Sequence, residues 1–195
     1  AFKSLAAAVI PHGFPGIESI HPITAKPRKD SRLRLLILGR MQPGKGQLLL
    51  LRALPELARH VQIYLVGTGK SGEKFFGMNG VDVILEYKRQ ELASILTEIG
   101  THFAALLSVV PETFSYTSSE IQHMQIPVIA TRVGSFPNRI EHGSTGWLVD
   151  AEPHALIRQV ADLCDSPQQI EVVRANLPGS SANTLEGMLE AFNKL

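Results

Sequence analysis

Short apolar runs alternate along the chain with longer stretches in which apolar residues return every three or four positions. Residues 33–38, 61–66, 81–85, 103–110, 126–130 and 146–149 read as six strands, and most are apolar without a break. That is the pattern of strands covered on both faces, as in parallel sheets. Between them the spacing predicts a leucine-rich helix over 47–59 and a helix over 90–100 with Leu92, Ile95, Leu96 and Ile99 on one face. A short helix begins near Ser115, another runs over 153–164 with Pro153 in its first turn, and a last one lies within 180–195, capped by Ser181 or Asn183. This alternation predicts an α/β fold: a Rossmann-like, doubly wound, mainly parallel sheet of about six strands with helices on both faces. Residues 1–31 carry Pro11, Pro15, Pro22 and Pro27 without periodicity. They read as a linker or edge segment from an upstream domain, leaving 32–195 as the Rossmann-like domain.

The bulk numbers narrow the classes. A chain of 195 residues, 44% hydrophobic and 19% charged, is globular and long enough to bury a substantial core. A formal net charge of +1 argues against a nucleic-acid footprint, which needs clustered cations. A single cysteine, Cys164, excludes an internal disulfide and fits a reducing, cytoplasmic setting. No apolar run approaches the ~20 residues that span a bilayer. The opening Ala1-Phe-Lys-Ser-Leu-Ala-Ala-Ala-Val-Ile10, with no initiating Met and no signal-peptide layout, reads as a fragment of a longer chain. The seven histidines show no metal-ligand spacing, so no structural zinc is expected. His142 and Gly143 read as a helix end, His123 as a helix-surface residue and Trp147 as core.

The chemistry concentrates between 106 and 131, where a strand, a loop, a helix and a strand follow one another. Such a loop lies at the carboxyl end of its strand, the edge at which open α/β sheets bind ligands. It holds Glu112, hydroxyls from Ser115 to Ser119, and Glu120 on the helix. The unpaired amides of a helix start attract phosphate oxygens, while two carboxylates repel them. Hydroxyls of a sugar or ribose suit the carboxylates better, and the combination points to a nucleotide sugar. The plainer reading is a pair of solvated glutamates. Gly39-Arg-Met-Gln-Pro-Gly-Lys-Gly46 nearly matches a phosphate-binding loop, but Gly46 stands where a metal-binding Ser or Thr would follow the lysine. A magnesium-dependent NTPase is thereby disfavoured, while Arg40 and Lys45 remain placed to neutralise a diphosphate. The alternative is a glycine-rich turn with surface cations. Gly67-Thr-Gly-Lys-Ser-Gly72 is a literal dinucleotide fingerprint, with Glu86 ending the next strand where a ribose-binding acid could sit. Only about eight residues separate Gly72 from Val81, interrupted by Gly77 and Gly80, too few for the helix this motif requires. An NAD-binding domain of an oxidoreductase, or a Rossmann-like module with only a binding role, therefore stays open.

From about Val9 to Cys164 the chain resembles the C-terminal, donor-binding domain of retaining GT-B glycosyltransferases of the glycosyl transferases group 1 family. The resemblance runs through Val9-Ile-Pro-His-Gly13, Gly39-Arg40 with Lys45-Gly46, Leu65-Val-Gly-Thr-Gly69, Pro111-Glu-Thr-Phe-Ser-Tyr-Thr-Ser-Ser-Glu120, Ile126-Pro-Val-Ile-Ala-Thr131, Val133-Gly134 and Gly143-Ser-Thr-Gly-Trp-Leu-Val149, in the family's order. It implies a metal-independent hexosyltransferase with no cofactor besides its nucleotide-sugar donor. Arg40 and Lys45, beside Gly39, would hold the donor diphosphate and stabilise it as a leaving group. Glu112 would contact hydroxyls of the transferred sugar and Glu120 those of the ribose. Backbone amides around Ser115, Tyr116 and Thr117 would hold phosphate, and the base would lie near Tyr87 and Lys88. Ser115 stands where the family usually has Gly, Glu86 where it commonly has Gly, and Asn138 where it commonly has an acid. The resemblance also implies an absent N-terminal domain that holds a glycan or lipid-linked acceptor, as in polysaccharide biosynthesis, with possible peripheral membrane attachment. The chain by itself is then expected to bind donor without transferring it.

Overall fold

The computed structural model describes residues 32–177 and 185–194. The linker expected over 1–31 and the candidate caps Ser181 and Asn183 lie outside the described residues. Six strands form one sheet: β1 (Leu33–Leu38), β2 (Val61–Val66), β3 (Val81–Ile84), β4 (Phe103–Leu106), β5 (Val128–Thr131) and β6 (Trp147–Val149). Every neighbouring pair is parallel, in the order β3-β2-β1-β4-β5-β6. The helices are α1 (Gln47–His60), α2 (Leu92–Ile99), α3 (Tyr116–His123), α4 (Pro153–Asp165), α5 (Gln168–Asn176) and α6 (Leu185–Asn193).

The unbroken apolar strands have a simple cause, because each face of the sheet buries alternate side chains. Leu35 and Ile37 of β1 join one core with Leu50 and Leu57 of α1 and Leu156 and Val160 of α4. Leu36 and Leu38 join a second core with Leu92 and Leu96 of α2 and Ile121 of α3. Trp147 lies in the first core, 3% exposed, as its apolar setting predicts. The chain winds outward from β1 to β3, then returns to lay β4 on the other side of β1. The loops leaving β1 and β4 therefore diverge, and a crevice opens between the carboxyl ends of these two strands.

Some boundaries move. β4 ends at Leu106 rather than continuing through the apolar run to Val110, and Val109 and Val110 are exposed, at 41% and 48%. β5 starts two positions later than its pattern suggests, after Pro127, which has no N–H to give the ladder. A 3-10 turn at Arg89–Glu91 precedes α2. The sequence pattern does not announce α5, which buries only Ile170 and Val173. The expected helix end at His142 is absent: a single 3-10 turn, Phe136–Asn138, ends well before it. His142 instead accepts a hydrogen bond from the Leu148 N–H at Nδ1, 3.0 Å away, within a tight loop closed by Gly143 N–H to Gly146 O at 2.8 Å.

Candidate functional site

Three loops build the crevice. The β1 loop turns at Gly39, whose N–H reaches Val66 O at 2.8 Å, passes Arg40, and makes a 3-10 turn at Pro43–Lys45. Gly46 then opens α1 at φ +82°, and a Cβ there would lie 2.1 Å from Leu107 O. Only glycine lets the β1 loop sit this close to the β4 loop. A hydrogen bond from Val109 N–H to Gly44 O at 2.9 Å ties the same two loops together.

That contact brings Lys45 to Glu112. The Lys45 Nζ donates to Glu112 Oε1 at 2.6 Å, with the lysine side chain 47% exposed and the glutamate 12%. The Ser108 hydroxyl donates to the same carboxylate oxygen. Ser108 is itself held by the Thr131 hydroxyl, which donates to Ser108 O at 2.6 Å. The β5 loop clamps the Glu112 backbone from the other side: Ser135 N–H donates to Glu112 O at 2.9 Å, and a Cβ on Gly134 would stand 2.4 Å from Glu112 N. Three strands thus fix the position of one carboxylate.

Ser115 is the N-cap of α3, its hydroxyl accepting from Ser118 N–H at 3.3 Å. Gly39, Arg40, Lys45, Glu112, Ser115 and Thr117 all line the crevice, with Ser108 on its wall. Behind the α3 start stands Arg139. Its guanidinium donates to Ser115 O at 3.3 Å and to Ser119 Oγ at 2.9 Å, and lies 4.6 Å from the centre of the Phe114 ring. Burial pushes the Arg139 pKa down from its ordinary value. A cation beside a helix N-terminus opposes the helix dipole, an arrangement an anion at the same end would relieve.

Arg40 also lines a second hollow of about 250 Å³ with Gly67, Gly69, Leu85, Glu86 and Tyr87. Tyr87 packs on Gly67, where an added Cβ would come 2.5 Å from its ring. Glu120 lines neither this hollow nor the crevice. Its carboxylate is 3.5 Å from Arg89 Nη2, and burial raises its pKa while Arg89 opposes the shift. Burial first and the Glu120 carboxylate second push the Tyr87 phenol above its ordinary value, while Arg89 opposes the shift. Lys88 lines neither hollow; its N–H is spent on Glu91 Oε2 at 3.1 Å. The Tyr116 side chain is 53% exposed and packs edge-on against Phe114, with the ring centres 5.0 Å apart. Sequence reasoning missed Ser108, Arg89 and Arg139. Ser108 did leave a trace, as the one hydroxyl inside the apolar run 103–110.

The Gly67–Gly72 loop leads into a six-residue 3-10 helix, Lys70–Phe75, and no α-helix opens on it among the described residues. The dinucleotide motif therefore lacks the helix start that would receive a pyrophosphate. Among the described residues no group of three or more His, Cys, Asp or Glu could hold a metal ion, and no helix is long and apolar enough to cross a membrane.

The order of these elements and loops can be set beside known proteins. Residues 32–166 match the family described as glycosyl transferases group 1. The chain belongs to that family. It is 30% identical over 156 residues to a D-inositol 3-phosphate glycosyltransferase of Streptomyces scabiei, covering 68% of this chain and 33% of that protein. The chain thus spans about a third of the length of the curated relatives it matches. The fold is similar to that of sucrose-phosphate synthase from Thermosynechococcus elongatus, at a TM-score of 0.70 and 18% identity over 84% of this chain and 44% of that one. Anabaena HepE in complex with UDP-glucose gives a TM-score of 0.68 at 19% identity, over 85% of this chain and 50% of HepE. This glycosyltransferase domain is the Rossmann-like C-terminal half of a GT-B fold, and its crevice lies at the switch point of the sheet.

Proposed function

We propose that this glycosyltransferase domain binds a nucleotide-diphosphate sugar and stabilises the nucleotide diphosphate as leaving group during a retaining hexosyl transfer. The acceptor would be held by an N-terminal domain. The observation that carries this reading is convergence: Arg40, Lys45, Glu112 and the capped start of α3 share one crevice, and Arg40 continues into the hollow beside Tyr87. The diphosphate lies between Arg40, Lys45 and the amides of Tyr116 and Thr117. The sugar lies toward Glu112, the ribose toward Glu120, and the base toward Tyr87. As the bond from the sugar carbon to the diphosphate oxygen breaks, its electron pair passes to that oxygen, where preplaced cations and amides meet the charge, while the acceptor hydroxyl oxygen bonds to the same carbon and its proton passes to the departing diphosphate. Lys45 is held by Glu112 before the donor arrives, so the cation and the carboxylate are exchanged onto phosphate and sugar hydroxyls on binding. Neither step requires a metal, so donor binding should be indifferent to a chelator.

Calorimetry of the chain with UDP, GDP, ADP and NAD tests the reading. Preference for a nucleoside diphosphate, weakened by Lys45→Ala and by Glu120→Ala, supports it; preference for NAD would favour the oxidoreductase alternative instead. A turnover assay with donor and mixed acceptors tests the second half of the proposal, since efficient transfer by the chain alone would contradict an acceptor held elsewhere. Attachment to a membrane and a role in polysaccharide assembly would belong to the full protein, and sedimentation of that protein with lipid vesicles addresses the first.

A further inference from the structure

Resting on that nucleotide reading, we propose that the base is guanine and that Glu86 selects it. The second hollow offers a flat ring a partner surface: Leu85 supplies apolar area, and the Tyr87 ring, packed on Gly67, supplies an aromatic one. Arg40 stands at the end it shares with the crevice, so a nucleotide whose phosphates meet Arg40 extends its base away toward residues 85–87. Glu86 lines this hollow, and among the described residues its carboxylate makes no ion pair or side-chain hydrogen bond. Of the other charged groups nearby, Arg89 faces Glu120 at 3.5 Å, Glu91 accepts from the Lys88 N–H at 3.1 Å, and Arg40 stands at the opposite, crevice end of the hollow.

An ionised carboxylate offers two acceptors side by side and no donor. Guanine alone among the common bases presents two donors side by side, its N1–H and its exocyclic amine. Uracil has a single N–H between two carbonyl oxygens. Adenine and cytosine each set an amino group beside a ring nitrogen that is itself an acceptor. Guanine can therefore be gripped by both carboxylate oxygens, whereas each of the others turns a lone pair toward the negative charge. Paired contacts of this kind discriminate between bases where a single hydrogen bond does not.

The test is a nuclear magnetic resonance shift titration of the chain with GDP, IDP, UDP and ADP into the millimolar range. GDP is expected to bind about tenfold tighter than UDP or ADP. IDP keeps the N1–H but lacks the exocyclic amine, and should fall between them. In Glu86→Gln the advantage of GDP over IDP and over UDP shrinks, and in Glu86→Gly it disappears; Glu86 is exposed, so both variants should fold, as circular dichroism would verify. UDP or ADP binding as tightly as GDP overturns the assignment to guanine. A GDP preference that survives in Glu86→Gly overturns the assignment to Glu86. A different pattern, in which no diphosphate shifts any resonance or Lys45→Ala changes nothing, would remove the nucleotide reading itself and this inference with it.

Discussion

The two members of the Lys45–Glu112 pair should respond to mutation with opposite signs when a bare nucleoside diphosphate is the ligand. Lys45→Ala removes a cation from the crevice. A charge-assisted hydrogen bond is worth about 1.5–3 kcal/mol, but Lys45 is 47% exposed and must loosen its 2.6 Å contact with Glu112 to engage phosphate. A net loss of about 1 kcal/mol, roughly fivefold in Kd, follows. Glu112→Gln removes a negative charge that is only 12% exposed and releases Lys45 from it, so the same ligand should bind several-fold tighter. With an intact sugar donor the glutamine variant should lose that gain, because the carboxylate is the proposed acceptor for sugar hydroxyls. Isothermal titration of the wild type, both single variants and the double variant with one diphosphate closes a thermodynamic cycle. Raising the salt should shrink the Lys45 effect more than that of Glu112, which is the more shielded of the two. If both single variants weaken diphosphate binding alike, the pair is a structural strut and the crevice is not organised around an anion.

Three further outcomes follow from the same geometry. Gly46→Ala combines a left-handed backbone with a Cβ 2.1 Å from Leu107 O, and urea denaturation should show a loss of about 2–4 kcal/mol; a loss below about 1 kcal/mol would mean the two loops separate freely. Arg139→Lys keeps the charge but gives up the fork to Ser115 O and Ser119 Oγ, so amide exchange at Ser118 and Ser119 should accelerate and diphosphate affinity fall about threefold, whereas unchanged exchange would show that α3 holds its own start. His102 is pushed down from 6.5 to about 4 by burial first, then by Arg34 and Arg174, and its Nδ1 accepts from Arg34 N–H at 3.1 Å. The unfolded chain then binds more protons between these two values, so stability present above pH 6.5 is lost as the pH falls toward 4. Discounted for partial exposure, this amounts to about 2 kcal/mol. Urea curves across that window should show the slope in the wild type and a flatter response in His102→Asn.

What the sequence reveals of this site depends on how far apart the cooperating residues lie. The helix start at Ser115, the two cationic positions and the succession of strands and helices are legible because each is written within a few neighbours: an apolar run, then Gly or Pro, then a hydroxyl or a cation. Arg139 is invisible by the same logic, since it meets Ser115 across 24 positions and nothing local marks it. Helix α5 escapes notice for a related reason. With only Ile170 and Val173 buried, it is held in large part by Arg174, whose guanidinium reaches Gln125 O at 2.7 Å and His102 O at 3.0 Å. Hydrophobic periodicity cannot register a helix anchored by a polar side chain. The run 103–110 misleads in the other direction: its content is apolar to the end, but β4 stops pairing at Leu106, and the residues beyond it belong to the loop that meets Gly46. Glycines mark the close approaches, at Gly46, Gly67 and Gly134, without saying what each one approaches. Leu107, Tyr87 and Glu112 are those partners, and all three lie on or beside the proposed donor path. A Cβ at any of the three glycines would therefore act on binding by displacing the loop opposite, at a distance from the substitution that the sequence alone does not indicate.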